Sequence, residues 1–178
     1  MPRVAALLRG VNVGRGNRLA MADLKAVVES LGHRRPVTLL ASGNVVFETA
    51  EGDTDRIGRD LAAALRARHG LATPVFIRTA VQVAAILAAL PVPEAEIDPS
   101  RVLILLLGTD PAHARCTALA GRDWGPERLV VTPSAAYLWC PNGLSGGNLA
   151  EAVMAAAGSD GTGRNLATLR KLSALLAP

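Results

Sequence analysis

Val4-Ala5-Ala6-Leu7-Leu8 is a short apolar run that passes directly into Arg9-Gly10-Val11-Asn12-Val13-Gly14-Arg15-Gly16-Asn17-Arg18, after which Met21, Leu24, Val27, Val28 and Leu31 recur at helical spacing. An apolar run bounded by turn residues reads as a buried strand, and the period near 3.6 reads as an amphipathic helix that Gly32 ends. The chain therefore opens as strand, loop, helix. Pro36–Leu40 and Val45–Glu48 read as two further strands joined around Ala41-Ser42-Gly43-Asn44, which has the turn chemistry of a short hairpin. A second helix begins at Asp53 or Thr54, aligns Ile57, Leu61, Ala64, Leu65 and Arg68, and closes at Gly70. Val75–Arg78 adds a last strand. The order βαββαβ predicts a ferredoxin-like antiparallel sheet with two helices on one face, spanning residues 1–79.

The remainder, 80–178, reads as a related unit. Thr79-Ala80-Val81-Gln82 has capping-box spacing for a helix with Val83, Ile86, Leu87 and Leu90 inward, ended by Pro91 and Pro93. Glu94–Ser100 reads as a short surface loop. Val102–Leu107 is apolar at every position, as expected of a central strand covered on both faces. Asp110-Pro111 pairs a cap with a first-turn proline for a helix running towards Leu119 and Gly121. Arg128–Thr132 and Ala135–Cys140 read as a hairpin across Pro133-Ser134, followed by a glycine-rich loop, Pro141–Gly147. Leu149, Val153 and Met154 mark a helix that stops at Gly158, and a last helix from near Thr162 carries Leu166, Leu169, Leu172 and Leu176. The expected fold is α+β, with two packed subdomains forming one compact unit: 1–79 ferredoxin-like and 80–178 an αβαββαα relative of it.

A chain of 178 residues that is 50% hydrophobic can bury a sizeable core. Val102–Leu107 falls far short of the roughly 18 apolar residues of a membrane span, and the opening segment is too short for a signal-peptide core. A cytoplasmic protein without membrane partners is expected. Cys116 and Cys140 are too few for a disulfide framework, and His113 with Cys116 on one helix lacks a second pair of ligands, so neither a metal nor a cofactor is expected. His33 and His69 fall near helix C-termini, where imidazolium suits the helix dipole or meets solvent. The net charge is +4, and residues 1–50 hold seven Lys or Arg against three Asp or Glu. The positive field is concentrated at the front.

Arg9–Arg18 is accordingly a candidate anion site. It is not a Walker A loop, because no Gly-Lys-Ser/Thr follows, and a GxGxxG begun at Gly14 meets Leu19 at its third glycine position. What remains is a turn whose backbone N–H groups and arginines could hold a phosphate or carboxylate at the first helix start, or simply a solvated loop. Gly143-Leu144-Ser145-Gly146-Gly147 matches the pattern of a nucleophile elbow, but such hydrolases place their histidine after the serine, and the last histidine is His113. A loop leading into a helix is the better account. Arg164, placed in the first turn of the expected last helix, opposes the helix dipole by about 0.3–1 kcal/mol. An anion shared by Arg18 and Arg164 would relieve this; pairing with Asp23 or Asp160 would do the same. Phe47 is the sole aromatic on the two central strands, so base stacking on the sheet is not expected, whereas backbone binding through arginine stays open.

Ala6-Leu7-Leu8-Arg9-Gly10-Val11-Asn12-Val13-Gly14, Asn17-Arg18-Leu19-Ala20-Met21-Ala22-Asp23-Leu24-Lys25 and Ser42-Gly43-Asn44-Val45-Val46-Phe47 resemble blocks of the bacterial family called domain of unknown function 1697. Tyr137-Leu138, Pro141-Asn142-Gly143 and the segment from Thr162 to Leu172 resemble its C-terminal blocks. The resemblance covers essentially the whole chain and implies two packed ferredoxin-like or related subdomains; it implies no activity. The family often has an aromatic and a glutamine where Leu39 and Ala41 stand, two more positive charges in the second glycine loop, where Ser145-Gly146-Gly147-Asn148 stands, and Trp-Asn where Leu166-Ala167 stands.

The function expected from these readings is binding of an anionic ligand, a nucleotide, phosphometabolite or nucleic-acid backbone, through Arg9, Asn12, Arg18, Ser42, Asn44, Arg164 and Asn165. An enzyme acting on such a ligand and a structural or oligomerising module are the alternatives, and the chain is a monomer or homodimer.

Overall fold

The apolar run at the front of the chain is strand β1 (Arg3–Leu8), in which Val4 to Leu8 are all buried. The structure is a computed structural model and describes residues 1–14, 16–91, 98–144 and 147–177. A strand buried on both faces cannot leave N–H and C=O groups to water, so both of its edges must be paired. β3 (Asn44–Glu48) runs antiparallel along one edge, from Arg3 opposite Glu48 to Leu7 opposite Asn44. β4 (Val75–Thr79) takes the other, from Val4 opposite Thr79 to Leu8 opposite Val75. With β2 (Arg34–Thr38) outside β3, the sheet order is β2-β3-β1-β4.

Helices α1 (Met21–Ser30) and α2 (Thr54–His69) cover one face of this sheet. Leu24, Val27 and Val28 from α1 and Ile57, Leu61 and Leu65 from α2 close on Val4, Ala6, Leu8, Val45, Phe47 and Ile77 in one core. The α2 ends follow from sequence. The Asp53 side chain accepts the Arg56 N–H at 2.9 Å, and Gly70 leaves the helix with φ 64°. The order βαββαβ expected of this stretch is the order observed. β2 lies earlier than Pro36–Leu40 because a register shift between Arg34 and Val37 carries Pro36 on an edge strand, where its missing N–H is tolerated.

In chain order, α3 (Ala80–Ala88), β5 (Val102–Leu107), α4 (Asp110–Thr117), β6 (Arg128–Val131), β7 (Ala136–Trp139), α5 (Asn148–Ala157), β8 (Gly161–Asn165) and α6 (Leu166–Leu176) follow. β5 is the expected central strand, flanked by β7 and β8 in a sheet ordered β6-β7-β5-β8. Leu149, Val153 and Ala157 from α5 and Cys116 from α4 pack on Leu105, Leu129, Ala136 and Leu138. Thr109, rather than Asp110, caps α4, its hydroxyl accepting the Ala112 N–H at 3.3 Å. Pro93 and residues 94–97 of the expected acidic loop lie outside the described residues.

One element overturns the expected αβαββαα string. The helix placed near Thr162 begins at Leu166, and Gly161–Asn165 is strand β8, paired with β5 from Leu107 opposite Gly161 to Leu103 opposite Asn165. From β5 to β8 this part of the chain is therefore a second complete βαββαβ. Two glycines hide the strand from propensity, yet both are needed where they stand. A Cβ on Gly161 would lie 2.7 Å from the Ala157 Cβ, and one on Gly163 would lie 3.1 Å from a Leu103 methyl.

The chain divides into two compact units, residues 1–81 with 171–178 and residues 82–170, with the divisions falling inside α3 and α6. Among the described residues no helix is long and apolar enough to cross a membrane.

Gly58 offers a test of how tightly α2 lies on β4. Helix propensity favours alanine there by about 1 kcal/mol. A Cβ, however, would sit 2.9 Å from the main-chain oxygen of Val75. A backbone oxygen inside a sheet cannot swing aside, so overpacking of about 1–3 kcal/mol wins and Gly58→Ala lowers the thermal midpoint. A raised midpoint in a melting experiment would show instead that α2 yields.

Candidate functional site

Within Arg9–Arg18 the chain turns repeatedly: Gly10 (φ 60°), Asn12 (φ 56°), Gly14 (φ 63°) and Asn17 (φ 51°) all adopt left-handed backbone, the conformation glycine and asparagine accept most readily. Asn12 holds the folded loop. Its Nδ2 donates to Leu19 O at 2.8 Å and to Ala41 O at 2.7 Å, and its Oδ1 accepts the Leu19 N–H at 3.0 Å. Its main-chain N–H donates to Asn17 O at 3.0 Å. One side chain thus ties the loop to the residue after Arg18 and to the residue before Ser42.

The hairpin turn is locked to β1 in the same way. Asn44 is fully buried, and its Nδ2 donates to Leu39 O and to the Ser42 hydroxyl, both at 3.0 Å. Gly43 O accepts the Leu8 N–H at 2.8 Å. Gly43 has φ 76°, and a Cβ there would lie 2.9 Å from the Leu8 Cβ and 3.2 Å from the Val11 Cβ, so both conformation and space require glycine. Arg9 is fixed through its backbone, its N–H donating to Pro74 O at 3.1 Å and its carbonyl accepting the Thr73 hydroxyl at 2.6 Å. Arg9, Asn12, Arg18, Ser42 and Asn44 therefore belong to two clasped turns of the first unit. Beside them α1 starts at Ala20 with no side chain capping it. Arg18 is exposed, and no ion pair joins it to Asp23. Arg15 lies outside the described residues.

Arg164 and Asn165 sit differently from the expectation. Arg164 is in β8, not in the first turn of a helix, so the supposed conflict with a helix dipole does not arise. Its Nη1 donates to the Thr162 hydroxyl at 2.9 Å and to Gly163 O at 2.8 Å, and burial pushes its pKa down to about 10. Asn165 caps α6, its Oδ1 accepting the Thr168 N–H at 2.9 Å. Asp160 lies 3.8 Å from Arg115.

Strand register reveals an arginine that sequence reading passed over. Arg78 is opposite Ala5 in β1 as Arg164 is opposite Ile104 in β5, each the fourth residue of the last strand of its βαββαβ. In both, Nη1 donates to the preceding carbonyl at 2.8 Å, and burial lowers the pKa. Only the pairing of strands makes the two positions equivalent.

The second glycine loop is occupied by the protein itself. The Glu127 carboxylate accepts the Leu149 N–H at 3.1 Å, at the start of α5, where an external anion would otherwise sit. A Cβ on Gly147 would come within 2.5 Å of the Glu127 Oε1, so glycine makes room for that carboxylate. Burial and the adjacent Glu127 carboxylate push the Cys140 thiol up to about 12. Ser145 and Gly146 of the GxSxG pattern lie outside the described residues.

Two of the three histidines have local partners. His33 stacks on the buried Phe47 ring, with centroids 4.8 Å apart, and burial lowers its pKa. Phe47 thus faces the helix-side core rather than presenting a surface for a base. The Nε2 of His113 lies 2.8 Å from Thr132 O, and the Cys116 thiol points at Val153 O. Among the described residues no three His, Cys, Asp or Glu side chains are grouped to hold a metal ion.

The family described as Protein of unknown function (DUF1697) matches residues 1–137, which include both clasped turns, β1 to β4 and most of the second sheet. The chain belongs to this family. A solved structure, of conserved bacterial protein SP0830 from Streptococcus pneumoniae, has 20% sequence identity and a TM-score of 0.75, covering 98% of this chain and 98% of that one. This DUF1697 chain and that protein share a fold. Comparison with curated proteins finds no match.

Two predictions follow from these bonds. Asn12→Ala removes three side-chain hydrogen bonds at a left-handed position and lowers stability by about 2–3 kcal/mol, while Asn17→Ala, which removes one exposed bond, costs less than about 1 kcal/mol; denaturant titration of both variants checks the ratio. Cys116 and Cys140 are both buried with raised thiol pKa values, so native protein at pH 8 resists a thiol-specific chromogenic reagent and releases both thiols only on unfolding.

Proposed function

We propose that the first unit binds an anionic ligand, a nucleotide, phosphometabolite or nucleic-acid phosphate, where the Arg9–Arg18 loop enters α1. The observation that carries this reading is the start of α1: Ala20 gives the first-turn N–H groups no side-chain cap, and the exposed Arg18 comes just before them in the chain. Fixed N–H groups and a guanidinium supply the two things an oxyanion needs, directional donors and positive charge.

The rest of the clasp supports the reading by holding these groups in place before any ligand arrives. In it, Arg9, Arg18 and Ser42 meet the anion, and Asn12 and Asn44 keep the two turns at a fixed spacing. Preformed loops bind more tightly because less conformational freedom is lost on binding. The α5 start makes an internal comparison, since there the protein supplies its own carboxylate from Glu127. Arg164 and Asn165 belong to the second unit, where they serve β8 and the start of α6, and are not needed for this loop to act.

Thermal-shift measurements with inorganic phosphate, a nucleoside triphosphate and a short oligonucleotide at low and high salt test the proposal. A ligand at about 100 times its Kd stabilises the native state by about 2.7 kcal/mol. The expected result is a salt-sensitive rise in midpoint with at least one of them, abolished in Arg18→Glu. No rise with any at millimolar concentration sinks it.

A further inference from the structure

A cleft of about 540 Å³ opens elsewhere in the first unit, lined by Arg3 and Val4 of β1, Arg35 of β2, Glu48 of β3 and Leu176 of α6, among others. Its volume lies in the range of small-molecule sites. No described residue of the Arg9–Arg18 loop lines it. Pro2, Val4, Val81 and Leu176 give it apolar walls, and Val81 is 79% exposed.

The charged groups of the cleft are arranged around one carboxylate. Glu48 Oε1 lies 3.7 Å from Arg3 Nη2 and 3.3 Å from Arg35 Nη1. Glu51, the other acid in the lining, is 3.3 Å from Arg56. Two guanidinium groups on one carboxylate leave a formal charge of +1, with Glu51 already balanced. Arg3 is held from behind, its Nη1 donating to Leu175 O at 3.2 Å and Ala177 O at 3.0 Å. Arg35 has its side chain 77% exposed, and it stands in the bulged part of β2 with φ 51°, a left-handed conformation that a non-glycine residue adopts only at a cost. Bulges commonly re-aim a side chain, and here the bulge turns Arg35 towards Glu48.

We infer that this cleft is a binding site for a small monocarboxylate with an apolar body: the carboxylate pairs with Arg35 beside the Glu48–Arg3 pair, and the body lies on Val4, Val81 and Leu176. A single negative charge offsets the excess of Arg3 and Arg35 over Glu48. An amine meets net positive charge, and an uncharged amide cannot form the ion pair with a guanidinium.

Hexanoate and phenylacetate, with hexylamine and hexanamide as matched controls, are the probes, titrated calorimetrically against the full chain. Both carboxylates should bind and both controls should bind at least about tenfold more weakly, as expected for losing one charge-assisted hydrogen bond. Arg35→Ala, an exposed truncation, should weaken hexanoate about tenfold, and Glu48→Gln should strengthen it by removing the like charge. In an Arg18→Ala background the hexanoate binding that depends on Arg35 should persist, which separates this site from the anion loop whether or not that loop binds phosphate. Equal binding of hexanamide, preference for hexylamine, or hexanoate binding indifferent to Arg35→Ala overturns the inference, as does an absence of binding by either carboxylate at ten millimolar.

Discussion

Burial of β1 and β5 on both faces is the constraint on which each unit depends. Their main-chain N–H and C=O groups have no water to turn to, so every one must be met by a neighbouring strand. β3 and β7 meet one edge and β4 and β8 the other. The outer pairing of β5 requires a strand made of Gly161, Thr162, Gly163, Arg164 and Asn165, a composition no propensity scale would choose. Missing side chains are what admit it beneath Ala157 and against Leu103. Hydrogen-bond satisfaction outweighs local preference in this place.

The same principle shapes the loop after β1. Its glycines and asparagines let the backbone reverse, and the Asn12 and Asn44 amides then absorb carbonyls that the reversal would strand. Polar residues that look like ligand contacts when read in a row are here largely occupied in holding two turns together. Arg18 precedes the start of α1 in the chain, and Arg35 stands in the bulged part of β2. The two units handle their helix starts differently: α5 is met by Glu127, while α1 has no side-chain cap. A repeated architecture thus carries an internal anion in one copy and an open helix start in the other.

Strand β1, the helices α1 and α2, the hairpin at Ser42 and the βαββαβ order were legible because each is announced locally, by period, cap or turn chemistry. Gly43 belongs with them, since a turn at that position needs a left-handed residue. Arg164 was misplaced because Thr162-Gly163-Arg164-Asn165 ends in a real helix cap, Asn165, and the cap is silent about whether strand or loop precedes it. Arg78 and the Arg3–Glu48–Arg35 cluster carry no local signature at all. Residues 3, 35 and 48 meet only because β1, β2 and β3 lie side by side in register, with a bulge at the exposed Arg35.

By itself the sequence determined an α+β chain of strand–helix units with an arginine-bearing glycine loop at its front, because periodicity, capping and turn preference act over a few residues and survive in one dimension. Tertiary structure decided that Gly161–Asn165 is a strand, that Asn12 and Asn44 are clasps, and that Glu127 fills the α5 start. Each of these depends on what lies across a gap of a few ångströms from residues distant in the chain, and a hydrogen bond or a missing Cβ has meaning only once that neighbour is in place.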